Sequence, residues 1–111
     1  ADMPGFPRAE QRLLAFLIGS QRYGIDGRLR RQLPNAWREG ALRLVILLRL
    51  AVLLNRARSS EAVPLLRAEA HDETLLLAFD EAWLAENPLT MADIQREKRQ
   101  LRDVGYRLQA S

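Results

Sequence analysis

Between Ala41 and Leu54 only Arg43 and Arg49 interrupt an otherwise apolar run, and with its polar flanks this stretch predicts a helix from Trp37 to Arg58. Pro34-Asn35 marks its start, because the proline disfavours helix in the residue before it and an Asn side chain can accept from the free amides of a first turn. Arg56, Arg58 and then Ser59-Ser60 mark its end, with basic groups where the helix dipole favours them. Leu44, Val45, Ile46, Leu47, Leu48, Leu50, Val52, Leu53 and Leu54 leave almost no polar side, so the helix is expected to be enclosed by neighbours. A bilayer span needs roughly 20 apolar residues in a row, and Arg49 at the centre would be expensive in lipid, which argues against a membrane segment.

The remaining elements arrange themselves around that helix. Asp2 to Pro7, with two prolines and a glycine, reads as an extended lead-in. A first helix from about Arg8 to Ser20 carries Leu13, Leu14, Phe16, Leu17 and Ile18 as its apolar side, to be packed against the core helix. Gln21 to Pro34 reads mostly as loop, with room for a short helix from about Arg28 to Leu33. After Ser60 the period becomes strand-like. Leu66, Ala68 and Ala70 alternate with charged or polar residues, a turn falls at His71-Asp72-Glu73, and Thr74 to Phe79 is a bounded apolar run, so a β-hairpin is expected. Asp80 to Glu86 makes a short helix presenting Trp83 and Leu84, which Asn87-Pro88 ends. Thr90 with Asp93 resembles a capping box for a further helix to about Val104, with Met91, Ile94, Leu101 and Val104 inward. Gly105 stops it, and Tyr106, Leu108 and Ala110 alternate into a third strand. The fold class is therefore α+β: a helical part over residues 1–60, then a small β-β-α-α-β unit over residues 61–111.

Composition agrees and adds one asymmetry. A chain of 111 residues with 48% hydrophobic residues is enough for about one domain or two small ones. The absence of cysteine excludes disulfides and thiolate metal sites and makes the cytoplasm the default compartment. The opening ADMPGF, with neither an initiator methionine nor a signal peptide, reads as a piece of a longer protein. The net charge of +3 divides into +7 over residues 1–60, where eleven arginines face four acids, and −4 over residues 61–111, where six cations face ten acids. The sign changes at Ser59-Ser60, and the first part suits a polyanion.

Candidate chemistry is sparse. His71-Asp72 invites comparison with metal-holding His-Asp pairs, but it is the only histidine, and the pair falls at a hairpin tip where Asp favours the turn. The serines have no partner beyond that histidine, no phosphate-cradling glycine loop is present, and Asp80-Glu81, being adjacent on a helix, diverge. The chain alone is not expected to be an enzyme. Arg22, Arg28, Arg30 and Arg31 lie on a glycine-containing loop, where they can meet phosphate or simply be solvated. Arg49 either snorkels, pairs with an acid or lines an anion channel. Arg96, Lys98, Arg99 and Arg102 alternate with Glu97 and Asp103 and read as a solvated helix face.

Three segments, DMPGFPRAEQ (Asp2 to Gln11), LLRLAVLLNRAR (Leu47 to Arg58) and AFDEAWLAENPLTMADIQREKRQLRDVGYRLQ (Ala78 to Gln109), resemble the C-terminal region of the exopolyphosphatase and guanosine pentaphosphate phosphohydrolase family. The resemblance implies the end of an HD-like helical domain followed by a small α/β domain. The Mg²⁺ site, phosphate-binding loop and catalytic Glu of such a parent belong to a preceding half, where Mg²⁺ and basic groups would offset the charge of the terminal phosphate while a carboxylate positions water. This chain would contribute substrate hold and a homodimer interface, with no cofactor of its own. Its expected ligand is inorganic polyphosphate, or guanosine pentaphosphate in the alternative. Where family members commonly show a basic His-Arg-Arg stretch, this sequence has Gly19-Ser20-Gln21-Arg22-Tyr23, so only Arg22 carries over and Arg28, Arg30 and Arg31 rest on charge. Two rivals remain: a nucleic-acid-binding module, which lacks a docking helix and exposed aromatics, and a scaffold with merely solvated arginines.

Overall fold

The computed structural model describes residues 8–22, 24–57 and 65–110, with the side chain of Arg22 outside that description. The lead-in expected over Asp2 to Pro7 and the boundary at Ser59-Ser60 lie outside the described residues. The chain divides into two compact units, Ala1–Leu50 and Ala51–Ser111.

The first unit is helical. Helix α1 spans Arg8–Arg22, α2 spans Gly27–Arg31, a single 3-10 turn covers Asn35–Trp37, and α3 runs over Arg38–Ala57 into the second unit. Phe16 of α1 and Leu33 after α2 are buried with Leu42, Val45 and Ile46 of α3. The segment read mostly as loop folds into α2 because the Asp26 carboxylate accepts from the amides of Arg28 and Leu29, satisfying two of the first-turn donors. Asn35 does not cap as expected: its Oδ1 accepts from Arg38 Nη1 at 3.4 Å, and the 3-10 turn follows Pro34 without a side-chain cap.

The enclosure expected of the long helix is corrected. Ala41, Leu42, Val45, Ile46, Leu50 and Leu53 are buried, whereas Leu44, Leu47, Leu48 and Val52 are 39–58% exposed along the opposite stripe. Both stripes are equally apolar, so hydropathy carries no signal for which one meets neighbours. Ile18, counted on the apolar side of α1, is likewise 65% exposed.

In the second unit β1 (Leu65–His71) pairs antiparallel with β2 (Thr74–Phe79), and β3 (Arg107–Ala110) pairs parallel with β2. The sheet order is β1-β2-β3, and the crossover between β2 and β3 carries α4 (Glu81–Ala85) and α5 (Pro88–Arg102), as a parallel pair requires. Strand β2 shows the alternation of a half-buried strand through Leu75, Leu77 and Phe79, whereas β1 is an exposed edge on which Leu66 keeps 71% of its surface. Asp80 caps α4 through Trp83 N at 3.0 Å. Thr90 does not open α5: Pro88 is its first residue, where a missing N–H costs nothing, and Thr90 is buried two residues further along the same turn. The helix ends in a Schellman arrangement, with Tyr106 N donating to Leu101 O at 2.8 Å, Gly105 N donating to Arg102 O at 3.1 Å, and Gly105 at φ +86°. The fold is thus α+β, with helices first and the small sheet after them.

Candidate phosphate-binding surfaces

Of the four arginines proposed from sequence, Arg28, Arg30 and Arg31 divide between two roles. Arg30 is structural: its Nη2 lies 3.2 Å from Glu39 Oε2 and its Nε donates to the Arg38 carbonyl at 3.4 Å, holding α2 to the start of α3. Glu39 also meets Arg43 at 3.7 Å, a spacing of four on α3. Arg28 and Arg31, at positions i and i+3 of α2, share a face, are exposed, and make no ion pair among the described residues. The Arg31 guanidinium folds back over the first residue of α2, with Nη1 3.5 Å from where a Cβ on Gly27 would stand. For Arg22 only the backbone is described, as the last residue of α1.

Arg38, which sequence reasoning passed over, makes more hydrogen bonds in this corner than Arg28, Arg30 or Arg31. Its Nη2 donates to the Arg31 carbonyl at 2.9 Å and its Nε to the Leu33 carbonyl at 3.1 Å, so a planar fork satisfies acceptors at the end of α2 and just beyond it. Nothing in the local sequence marks it, since its acceptors are backbone atoms.

Arg49 makes a contact outside the roles weighed for it. It donates to the carbonyl of Ser20 at 2.6 Å, tying α3 to the last turn of α1. His71 is exposed at the end of β1, 3.7 Å from Glu69, and Asp72 turns the hairpin at φ 52°, the left-handed region that Asp tolerates. Among the described residues no group of three or more His, Asp or Glu could hold a metal ion, so the Mg²⁺ implied for a parent finds no fitting donor set here.

The cations of the second unit, expected to be solvated, divide. Arg96 pairs with Asp93 at 3.3 Å. Lys98, Arg99 and Arg102 lie with Gln95 on a single stripe of α5 and line a cavity of about 640 Å³ together with Arg107 at the start of β3. The lining also takes in Glu73 and Thr74 at the hairpin turn, and the Glu73 carbonyl accepts from Arg107 N at 2.8 Å. Glu97, which interrupts the charge run in sequence, is buried.

No helix among the described residues is long and apolar enough to cross a membrane. Residues 1–98 match the family described as Ppx/GppA phosphatase, domain III. Proteins named guanosine-5'-triphosphate,3'-diphosphate pyrophosphatase are similar along nearly the whole chain: that of Vibrio cholerae serotype O1 El Tor is 35% identical over 96% of this chain, and those of Vibrio campbellii and Vibrio vulnificus are each 36% identical over the same share. The chain spans about 21% of the length of each of these relatives. A domain match over most of the chain, joined to this identity, places the protein in the Ppx/GppA phosphatase family, as a C-terminal region of that family.

Proposed function

We propose that this chain holds the phosphoanhydride substrate of a cytoplasmic Ppx/GppA phosphatase, and that the substrate is inorganic polyphosphate. The observation that carries the reading is the pair Arg28 and Arg31: two exposed guanidiniums on one face of α2, unpaired among the described residues, in a corner whose backbone is fixed by Arg30 and Arg38. Fixed backbone with free cations is the arrangement that phosphate recognition needs, since the side chains are spared for the ligand. Catalysis, with its Mg²⁺, falls to the remainder of the parent, which acts as a homodimer to which this chain contributes. Guanosine pentaphosphate is the second reading, favoured by the names of the relatives.

The test is a binding titration of the 111-residue chain with labelled long-chain polyphosphate at several salt concentrations, with guanosine pentaphosphate and duplex DNA as competitors. Each cation that meets phosphate releases counterions, so affinity falls steeply with salt, and Arg28→Gln with Arg31→Gln flattens the slope. Stronger competition by guanosine pentaphosphate selects the second reading. Stronger competition by DNA, or a slope indifferent to the two substitutions, ends both.

A further inference from the structure

The geometry points to the outer edge of β1 as a contact between two copies of this chain, joined strand to strand in antiparallel register with Ala68 at the two-fold axis. The inference rests on the homodimer reading given above and names a surface of this chain that serves it.

Three observations carry it. First, the edge is open. Strand β1 ends the sheet, pairs only with β2 among the described residues, and is exposed over residues 66–71. Its outward N–H and C=O groups are a template for another strand. The register shift between Leu65 and Arg67 lies at the start of the strand, so residues 67–71 pair regularly with β2 and keep the extended form that a further strand needs.

Second, the charges are self-complementary in one register. A two-fold axis normal to the sheet sets each residue opposite one on the same face of the second copy, so the register is decided by which residue sits on the axis. With Ala68 there, Arg67 faces Glu69 of the second copy, Glu69 faces Arg67, Leu66 faces Ala70, and the whole of Leu65–His71 is used. With Arg67 or Glu69 there, that residue faces its own like charge, which is destabilising. With Ala70 there, Ala68 faces Asp72, which has already left the strand at φ 52°. With Leu66 there, the overlap shrinks to Leu65, Leu66 and Arg67.

Third, the side chains are available for the exchange. Within one copy Arg67 Nε lies 3.3 Å from Glu69 Oε1, with side-chain exposures of 62% and 40%, a screened pair whose loss costs little when two cross-strand pairs replace it. Ala68 and Ala70 stand opposite Leu77 and Leu75 of β2, both buried, so the second copy's strand prolongs an apolar face of the sheet.

The experiment is sedimentation equilibrium of the 111-residue chain with charge-reversed variants, joined to site-specific cross-linking. A concentration-dependent dimer is expected, weakened by about tenfold or more in Arg67→Glu and in Glu69→Arg, each of which sets like charges opposite at two places. Arg67→Glu with Glu69→Arg restores the dimer, a recovery that a folding defect in either single variant does not produce. The sequence holds no cysteine, so Ala68→Cys reports directly: under mild oxidation it forms a disulfide-linked dimer, and Gln109→Cys, on the other edge strand, does not. A chain that stays monomeric, reversals without effect, or a double variant as weak as the single ones overturns the contact. Linkage through Gln109→Cys in place of Ala68→Cys overturns it in favour of β3. Sizing the full-length parent with the same reversals separates the two readings: a parent that remains dimeric through them keeps the homodimer and overturns the β1 edge, and an unmodified parent that is monomeric overturns the homodimer itself.

Discussion

Arg49 Nη1 donates to the carbonyl oxygen of Ser20 across 2.6 Å, and the hydroxyl of the same serine accepts from the amide of Asp26 at 3.0 Å. Ser20 is fully buried, so one small residue joins the end of α1 to α3 on one side and to the capping residue of α2 on the other. The apolar run of α3 therefore contains a charge because α1 ends beside it with a carbonyl that its own helix cannot satisfy.

Arg49→Leu is accordingly expected to destabilise the chain, although it removes a charge from an apolar helix. A buried carbonyl left without its donor costs about 1–3 kcal/mol, which for a chain of this size lowers the melting temperature by roughly 4 °C per kcal/mol. Arg49→Lys, which keeps a donor, costs less. Urea unfolding of the three proteins decides it, and a leucine variant as stable as the unmodified chain would show that the bond contributes nothing.

What the sequence made legible was whatever local pattern decides. The alternation of β2, the hairpin turn at Asp72, the short helix capped by Asp80 and the stop at Gly105 each depend on residues within a turn of one another, and each element formed where expected. What was hidden depends on partners distant in sequence: Ser20 with Arg49, Arg38 with the end of α2, and Arg107 with α5. Charge and loop position cannot tell Arg30, whose carboxylate partner is nine residues away, from Arg28 and Arg31. The capping reading of Thr90 failed on a local signal instead, because Pro88, two residues earlier, already supplied a start.

The two stripes of α3 differ in burial and not in hydropathy, so substitution separates them. Ile46, 2% exposed, should lose about 2–4 kcal/mol on replacement by Ala through lost transfer energy and a residual cavity, whereas Leu47, 58% exposed, should change by about 0.5 kcal/mol or less. Equal losses in chemical denaturation would mean that the Leu47 side is covered in solution.

Arg30 should behave as a strut. Because Arg30 and Glu39 keep side-chain exposures of 29% and 54%, solvent screens the pair, and Arg30→Gln is expected to cost only about 0.2–1 kcal/mol. Its effect on the salt dependence of polyphosphate binding should be small beside that of Arg28→Gln with Arg31→Gln. A slope change from Arg30→Gln as large as that of the pair would place the ligand over the salt bridge instead.

The last prediction uses one substitution at two glycines to isolate backbone conformation from packing. An added Cβ meets nothing within 4 Å at either Gly40 or Gly105, so no collision enters at either place. Gly40 lies inside α3, where glycine loses more conformational freedom on folding than alanine does, and Gly40→Ala should stabilise the chain by about 0.5–1 kcal/mol. Gly105 holds φ +86° to close the end of α5, a region that alanine enters only at a cost, so Gly105→Ala should destabilise by about 1 kcal/mol or more. Gly105→Asn should fall between, since Asn visits the left-handed region more readily. Urea midpoints for the three variants give the ordering directly. The same sign at both glycines would mean that the turn out of α5 relaxes to another conformation, and with it the register that sets Arg107 beside Lys98, Arg99 and Arg102.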